Sequence, residues 1–133
     1  MTNKFLAVVG STLALFGLGF LIYVQLGFHA YPGPSMEGIT KDPIDLPIII
    51  GMEVLYSILL VLLFSTYTSI RDIAAGAKAG LLIGLFIGGC QNLEWLATTE
   101  GITNTTGVIT GAVTFALRFA VAGGVVGYFL GKK

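Results

Sequence analysis

The chain has 133 residues, 55% of them hydrophobic and 11% charged, with formal net charge zero and a mean hydropathy of +0.90. Soluble domains carry about 25% charged residues, so this composition excludes most water-soluble readings and any disordered one. The absence of net positive charge also argues against a nucleic-acid-binding surface, and the length suits one domain.

Four segments are long enough to span a bilayer, which needs about 20 apolar residues. The first covers residues 5–28 behind Lys4, and Tyr23 lies near its far end. Its apolar run exceeds the ~7–15 residues of a signal-peptide core, so a retained helix is expected. Residues 29–47 then hold all four prolines, with Glu37, Asp42 and Asp45 against Lys41. Proline at that density forbids a continuous helix, so this stretch reads as an extramembrane loop. His29 opens it and reads as an interface residue; one histidine cannot supply both axial ligands of a bis-histidine haem.

The second segment, residues 48–70, carries Glu53, with Tyr56 and Ser57 on the same helical side. A short link leads to the third, residues 73–96, in which Gly76, Gly80, Gly84 and Gly88 fall at four-residue spacing. On a helix this GxxxG repeat makes one bare stripe, which lets a second backbone approach closely. Gln91 lies near that stripe, Glu94 follows it, and Trp95 is placed as an interfacial anchor. The link TTEGITNTT leads to the fourth segment, residues 107–130, with Thr114, Arg118 and a further repeat at Gly123 and Gly127. Short links favour antiparallel neighbours. The expected fold is therefore all-α: a four-helix, up-down-up-down integral membrane bundle with close packing through glycine. The glycine stripes either join the four helices of one monomer or make a homo-oligomer.

Lys4, Arg71, Lys78, Lys132 and Lys133 fall on one side of such a bundle, and Lys41 alone falls on the other. The positive-inside rule then places both termini in the cytoplasm and the proline loop outside.

Ionisable groups within a span usually face the bundle interior or a wet cavity. At ~1.5 Å per residue, Glu53 lies roughly 9 Å below the outer boundary and Arg118 roughly 16 Å, near the midplane. Arginine can reach several ångströms outward, which makes Arg118–Glu53 the favoured ion pair and Glu94 a shallower second partner. Tyr23, Tyr56, Ser57, Gln91 and Thr114 complete the candidate ligand or ion pocket in the outer half. The same cluster is also open to a structural reading, in which the charges only fix helix register. Cys90, the single cysteine, reads as a small packing residue.

There is no phosphate loop, zinc spacing, serine–histidine arrangement or Rossmann fingerprint, so no cofactor, metal site or catalytic residue is assigned. An enzyme would have only Glu53 or Glu94 as its acid. The leading expectation is a membrane protein that binds or passes a small solute or ion through an outward-facing polar pocket. The alternative is a non-catalytic structural or accessory subunit. The expected partners are the lipid bilayer and either further copies of the chain or a larger membrane complex.

Lys4-Phe5-Leu6, Phe64-Ser65, Gly76-Ala77-Lys78-Ala79-Gly80, Gly123-Gly124-Val125-Val126-Gly127 and Gly131-Lys132 together give the chain a further likeness. It resembles small four-helix bacterial membrane proteins grouped as a domain of unknown function. The resemblance implies a bacterial inner-membrane protein and carries no activity with it.

Overall fold

A computed structural model describes residues 2–25 and 45–132. It holds four helices, each long and apolar enough to cross a membrane. Helix α1, Thr2–Gly19, continues as a π-helical segment, Phe20–Gln25. Helix α2, Leu46–Leu62, continues likewise through Leu63–Tyr67. Helix α3 spans Ile73–Thr98 and α4 spans Thr105–Gly131. The fold is an all-α four-helix bundle. Of the expected proline loop, only Asp45 onward lies within the described residues, and His29 lies outside them.

Local chemistry sets the helix ends. The Asp45, Asp72 and Asn104 side chains accept from the backbone N–H groups of Ile48, Ala75 and Gly107, satisfying donors that the first helical turn leaves free. Pro47 sits inside the first turn of α2 rather than in the loop, where its missing N–H costs nothing. At the far end of α2, Arg71 Nη1 donates to the carbonyls of Phe64 at 2.8 Å and Ile70 at 2.6 Å. The cation thereby closes the carbonyl end of one helix just before Asp72 opens the next.

The helices alternate in direction. Asn3 Nδ2 donates to the Lys132 carbonyl at 2.7 Å, so both ends of the described chain meet at one end of the bundle. Gly131 lies against Arg71 there, which brings the α2–α3 link to the same end.

Helix α4 is central. α3 covers one of its sides and α1 packs on another, while α2 packs mainly on α1. Although only residues 68–72 join α2 to α3, the two helices hardly touch. The reason is the glycine stripe. Gly76 lies against Gly123 and Gly127, Gly80 against Phe119 and Gly123, Gly84 against Phe115, and Gly88 against Gly111 and Phe115. As one residue number rises by four, its partner's falls by four, which is the signature of two antiparallel four-residue rows in contact. Backbone meets backbone along these rows, giving α3 more van der Waals contact on α4 than side-chain-bearing faces would allow.

On the other flank of α4 the core closes around Leu15, Leu60, Phe64, Phe119 and Val126, all buried. Tyr56 meets Phe119 edge-on at 5.0 Å between ring centroids. The outer surface is apolar, with Phe5, Leu13, Leu55, Phe86, Ile109 and Leu117 exposed, as lipid contact requires. Cys90 belongs to this exposed surface. It was expected in a packed position, but the α3–α4 contact uses the glycine row, and Cys90 lies two residues past Gly88, on the opposite side of the helix.

A Cβ on Gly80 would overlap the Phe119 carbonyl, whereas one on Gly51 would meet nothing within 4 Å. Gly80→Ala is therefore expected to lower stability by about 1–3 kcal/mol through forced separation of α3 and α4. Gly51→Ala should be neutral or stabilising by up to ~1 kcal/mol through helix propensity. Thermal melts of both variants in detergent test this. Equal behaviour of the two would show that the close approach is not stabilising.

Candidate functional site

Arg118 lies at the centre of α4, thirteen residues from Thr105 and thirteen from Gly131. At ~1.5 Å per residue that is about 20 Å from either end. It is 2% exposed, as is Glu53 on α2, and the two form an ion pair through Nη2 and Oε1. This is the pairing that the depth of the two residues favours. Nη2 also donates to the Leu15 carbonyl of α1 at 3.2 Å. Leu15 lies five residues before the π-helical segment that starts at Phe20. One guanidinium nitrogen thus ties three helices together.

Aromatic rings hold the guanidinium from its flanks. Its carbon stands 5.6 Å from the Tyr23 ring centroid and 5.4 Å from that of Phe115, within cation–π range. The Tyr23 hydroxyl pairs with Thr114 Oγ1 at 3.2 Å, and Thr114 Oγ1 in turn donates to the Gly111 carbonyl at 3.1 Å. Further along α1 and α2, Thr12 Oγ1 donates to Ser57 Oγ at 3.0 Å. These hydroxyls satisfy one another or a backbone carbonyl, so they present little polarity to any ligand.

Beside the ion pair, a cleft of about 290 Å³ opens between α1 and α2. Phe16, Phe20 and Tyr23 line one wall, Ile49 and Met52 the other, and Glu53 and Arg118 close its inner end. The wall residues follow helical spacing: 16, 20 and 23 on one helix, and 49, 52 and 53 on the other. That spacing, starting from Tyr23 and Glu53, was the available signal for them.

Of the residues expected to form the pocket, Tyr23, Glu53 and Arg118 line this cleft, and Thr114 supports Tyr23. Ser57 bonds Thr12 instead, and Tyr56 packs its ring against Phe115 and Phe119. Gln91 and Glu94 are not brought to the cluster; both are exposed on α3. Two expectations are corrected here. The cleft is mainly apolar rather than polar, because the nearby hydroxyls are already satisfied. Glu94 is not a second partner of Arg118, because α3 packs on the far side of α4. The buried polar residue of α3 is Asn92, which continues the row of Gly76, Gly80, Gly84 and Gly88 by one more step. Its amide donates to the Gly88 carbonyl at 2.7 Å and fills the space that the bare Gly111 leaves on α4.

Glu53 Oε2 and Arg118 Nε are buried with no hydrogen-bond partner among the described residues. The described residues hold no group of histidine, cysteine, aspartate or glutamate arranged to bind a metal ion. Comparison with protein-family models, with characterised proteins and with solved structures finds no match for this chain. What can be said of function therefore rests on the four apolar helices, which define a membrane-protein architecture, and on the chemistry of the cleft.

Removing one member of a buried ion pair typically costs ~3–5 kcal/mol, whereas replacing both with apolar groups is often near neutral. Glu53→Gln and Arg118→Met should each lower the melting temperature in detergent, and the double variant should recover much of the loss. Simple addition of the two single losses in the double variant would mean that the pair is not energetically coupled.

Proposed function

We propose that this chain is an integral membrane protein of a bacterial inner membrane that holds a small solute in the cleft between α1 and α2. One observation supports this above the others. The cleft ends on an ion pair in which Glu53 Oε2 and Arg118 Nε have no hydrogen-bond partner among the described residues. A pair that served only to fix helix register would be best served by closing both hydrogen bonds of the guanidinium–carboxylate fork. Clefts that are mostly apolar with a few convergent polar groups are the usual form of small-molecule sites. The resemblance to small bacterial membrane proteins supports the bacterial assignment.

Lysine and arginine placement supports an orientation with both termini and Arg71 in the cytoplasm. The cleft then lies in the outward half, with Leu46 towards its mouth. A non-catalytic accessory role is the second reading. It is favoured by an apolar groove on the joint surface of α3 and α4, with Ala77, Ala120 and Gly124 between Ile73, Val121 and Tyr128, which would accept a partner helix.

Single cysteines in a Cys90→Ser background test the orientation. A membrane-impermeant thiol reagent applied to intact cells should label position 104 and spare position 2; the reverse pattern overturns it. For the site, a thermal-shift panel of small neutral and charged solutes should contain stabilisers whose effect is lost in Ile49→Trp, which fills the cleft. Stabilisers that act equally on both proteins would speak against the cleft. Recovery of the chain only within a larger assembly would favour the accessory reading.

A further inference from the structure

We propose that an anionic phospholipid docks on the joint surface of α3 and α4, with its phosphate at Arg71 and Lys132 and an acyl chain in the apolar groove that begins beside them. This surface lies apart from the α1–α2 cleft and does not depend on the reading of that cleft.

Two recesses meet at Ile73 and Tyr128. One lies where both ends of the described chain converge, and Arg71, Asp72, Gly131 and Lys132 border it. The other is the groove, in which Ile73, Ala77, Ala120, Gly124, Tyr128 and Phe129 present an almost wholly apolar surface. The Lys132 ammonium marks the junction. It stands 5.5 Å from the Tyr128 ring centroid and 5.7 Å from that of Phe129, and both rings line the groove. Among the described residues neither Lys132 nor Arg71 forms an ion pair with a carboxylate. Arg71 donates from Nη1 and Nη2 to carbonyls at the end of α2, which are neutral acceptors and leave its formal charge in place. Asp72 is the acid that borders the recess. Its carboxylate accepts from the Ala75 N–H at 2.8 Å, and the positive end of the α3 dipole offsets part of its charge. Two cations against one acid already engaged in capping favour an anionic group here, and phosphate is a common partner of both cationic side chains.

Depth selects a lipid over a helix as the occupant. Arg118 marks the middle of α4. At ~1.5 Å per residue, Ala120 lies about 3 Å from that level, Tyr128 about 15 Å and Lys132 about 21 Å. The hydrocarbon core reaches about 15 Å from the midplane, and the headgroup layer about 20–22 Å. The groove therefore covers the hydrocarbon of one leaflet, from near the midplane to the interface. Lys132 falls at headgroup level, and so does Arg71, which lies against Gly131. A transmembrane partner helix needs a face that crosses both leaflets. A phospholipid needs a cationic head site with an apolar track running from it through one leaflet, and basic sites between spanning helices are a known form of headgroup recognition.

The test places the full chain in phosphatidylcholine nanodiscs with a trace of either phosphatidylglycerol or phosphatidylcholine carrying a diazirine in one acyl chain, and maps the adducts by mass spectrometry. Relative to residues 55–62 of α2, residues 73–77 and 120–129 should be labelled more strongly by the phosphatidylglycerol probe than by the phosphatidylcholine probe. Lys132→Gln should cut that preference about five-fold, the effect of one basic residue at a membrane surface. Lys4→Gln removes a cation from the same end of the bundle but outside the recess, and should leave the preference unchanged. Ala120→Phe fills the groove and should abolish its labelling by both probes; Val121→Trp serves if Ala120→Phe does not fold. Equal labelling by the two probes overturns the inference. So does an equal loss in Lys132→Gln and Lys4→Gln, which would make the attraction a diffuse field rather than a site. Groove labelling that survives both filling variants overturns it as well. Protection of the groove from both probes, with cross-linking of α3 or α4 to a second copy or another helix, replaces the lipid with a protein partner.

Discussion

Arg118 carries its charge at the middle of a 27-residue apolar helix, about 20 Å from either end. A guanidinium at that level has to find its acceptors within the protein. It does so on two other helices at once, at the Glu53 carboxylate of α2 and the Leu15 carbonyl of α1. The α2 backbone stands away from α4, so the two are joined by side chains: the ion pair, and the Tyr56 ring edge-on to Phe115 and Phe119. The rotation of α1 is set by the same nitrogen and by Tyr23, which flanks the guanidinium.

The opposite face of α4 works by another principle. There is little polarity on the α3–α4 contact, and lipid offers no hydrophobic drive to bring helices together. Removing side chains substitutes for that drive. Gly76, Gly80, Gly84 and Gly88 meet a row on α4 that begins at Gly111 and includes Phe115, Phe119, Gly123 and Gly127. Phe115 and Phe119 serve both sides of α4. Their backbones and Cβ atoms press against the α3 glycines, while their rings turn towards Tyr56 and, for Phe115, towards Arg118. A bundle whose central helix is committed in this way leaves the α1–α2 boundary as the place where a cleft can open.

Helix existence and approximate length were legible in the sequence because they depend on apolar runs, whereas the caps at Asp45, Asp72 and Asn104 were not singled out and α2 and α4 begin two residues before the apolar segments read for them. The meeting of Arg118 with Glu53 was also legible, because depth along a spanning helix is a linear measure that needs only residue counting. The glycine row was legible for the same reason. The cleft walls at Phe16, Phe20, Ile49 and Met52 were not singled out, since apolar residues in an apolar helix carry no distinguishing signal until a neighbour is known.

What the sequence by itself determined is therefore the number of spans, the level of each charge and the presence of a bare face on α3. Only the tertiary structure decided which helix takes which neighbour and how each is rotated. Gln91 and Asn92 differ by one position, about 100° around the helix, and four-residue rows in contact follow the helix surface as it drifts rather than a fixed direction. The row therefore ends on buried Asn92 and leaves Gln91 exposed. Glu94 is likewise no partner of Arg118: the antiparallel row sets it level with the start of α4, near Thr105, and α3 has been drawn to the other side of α4 by its glycines. Rotation and neighbour choice depend on contacts between segments distant in the chain, and no count along a single helix contains them.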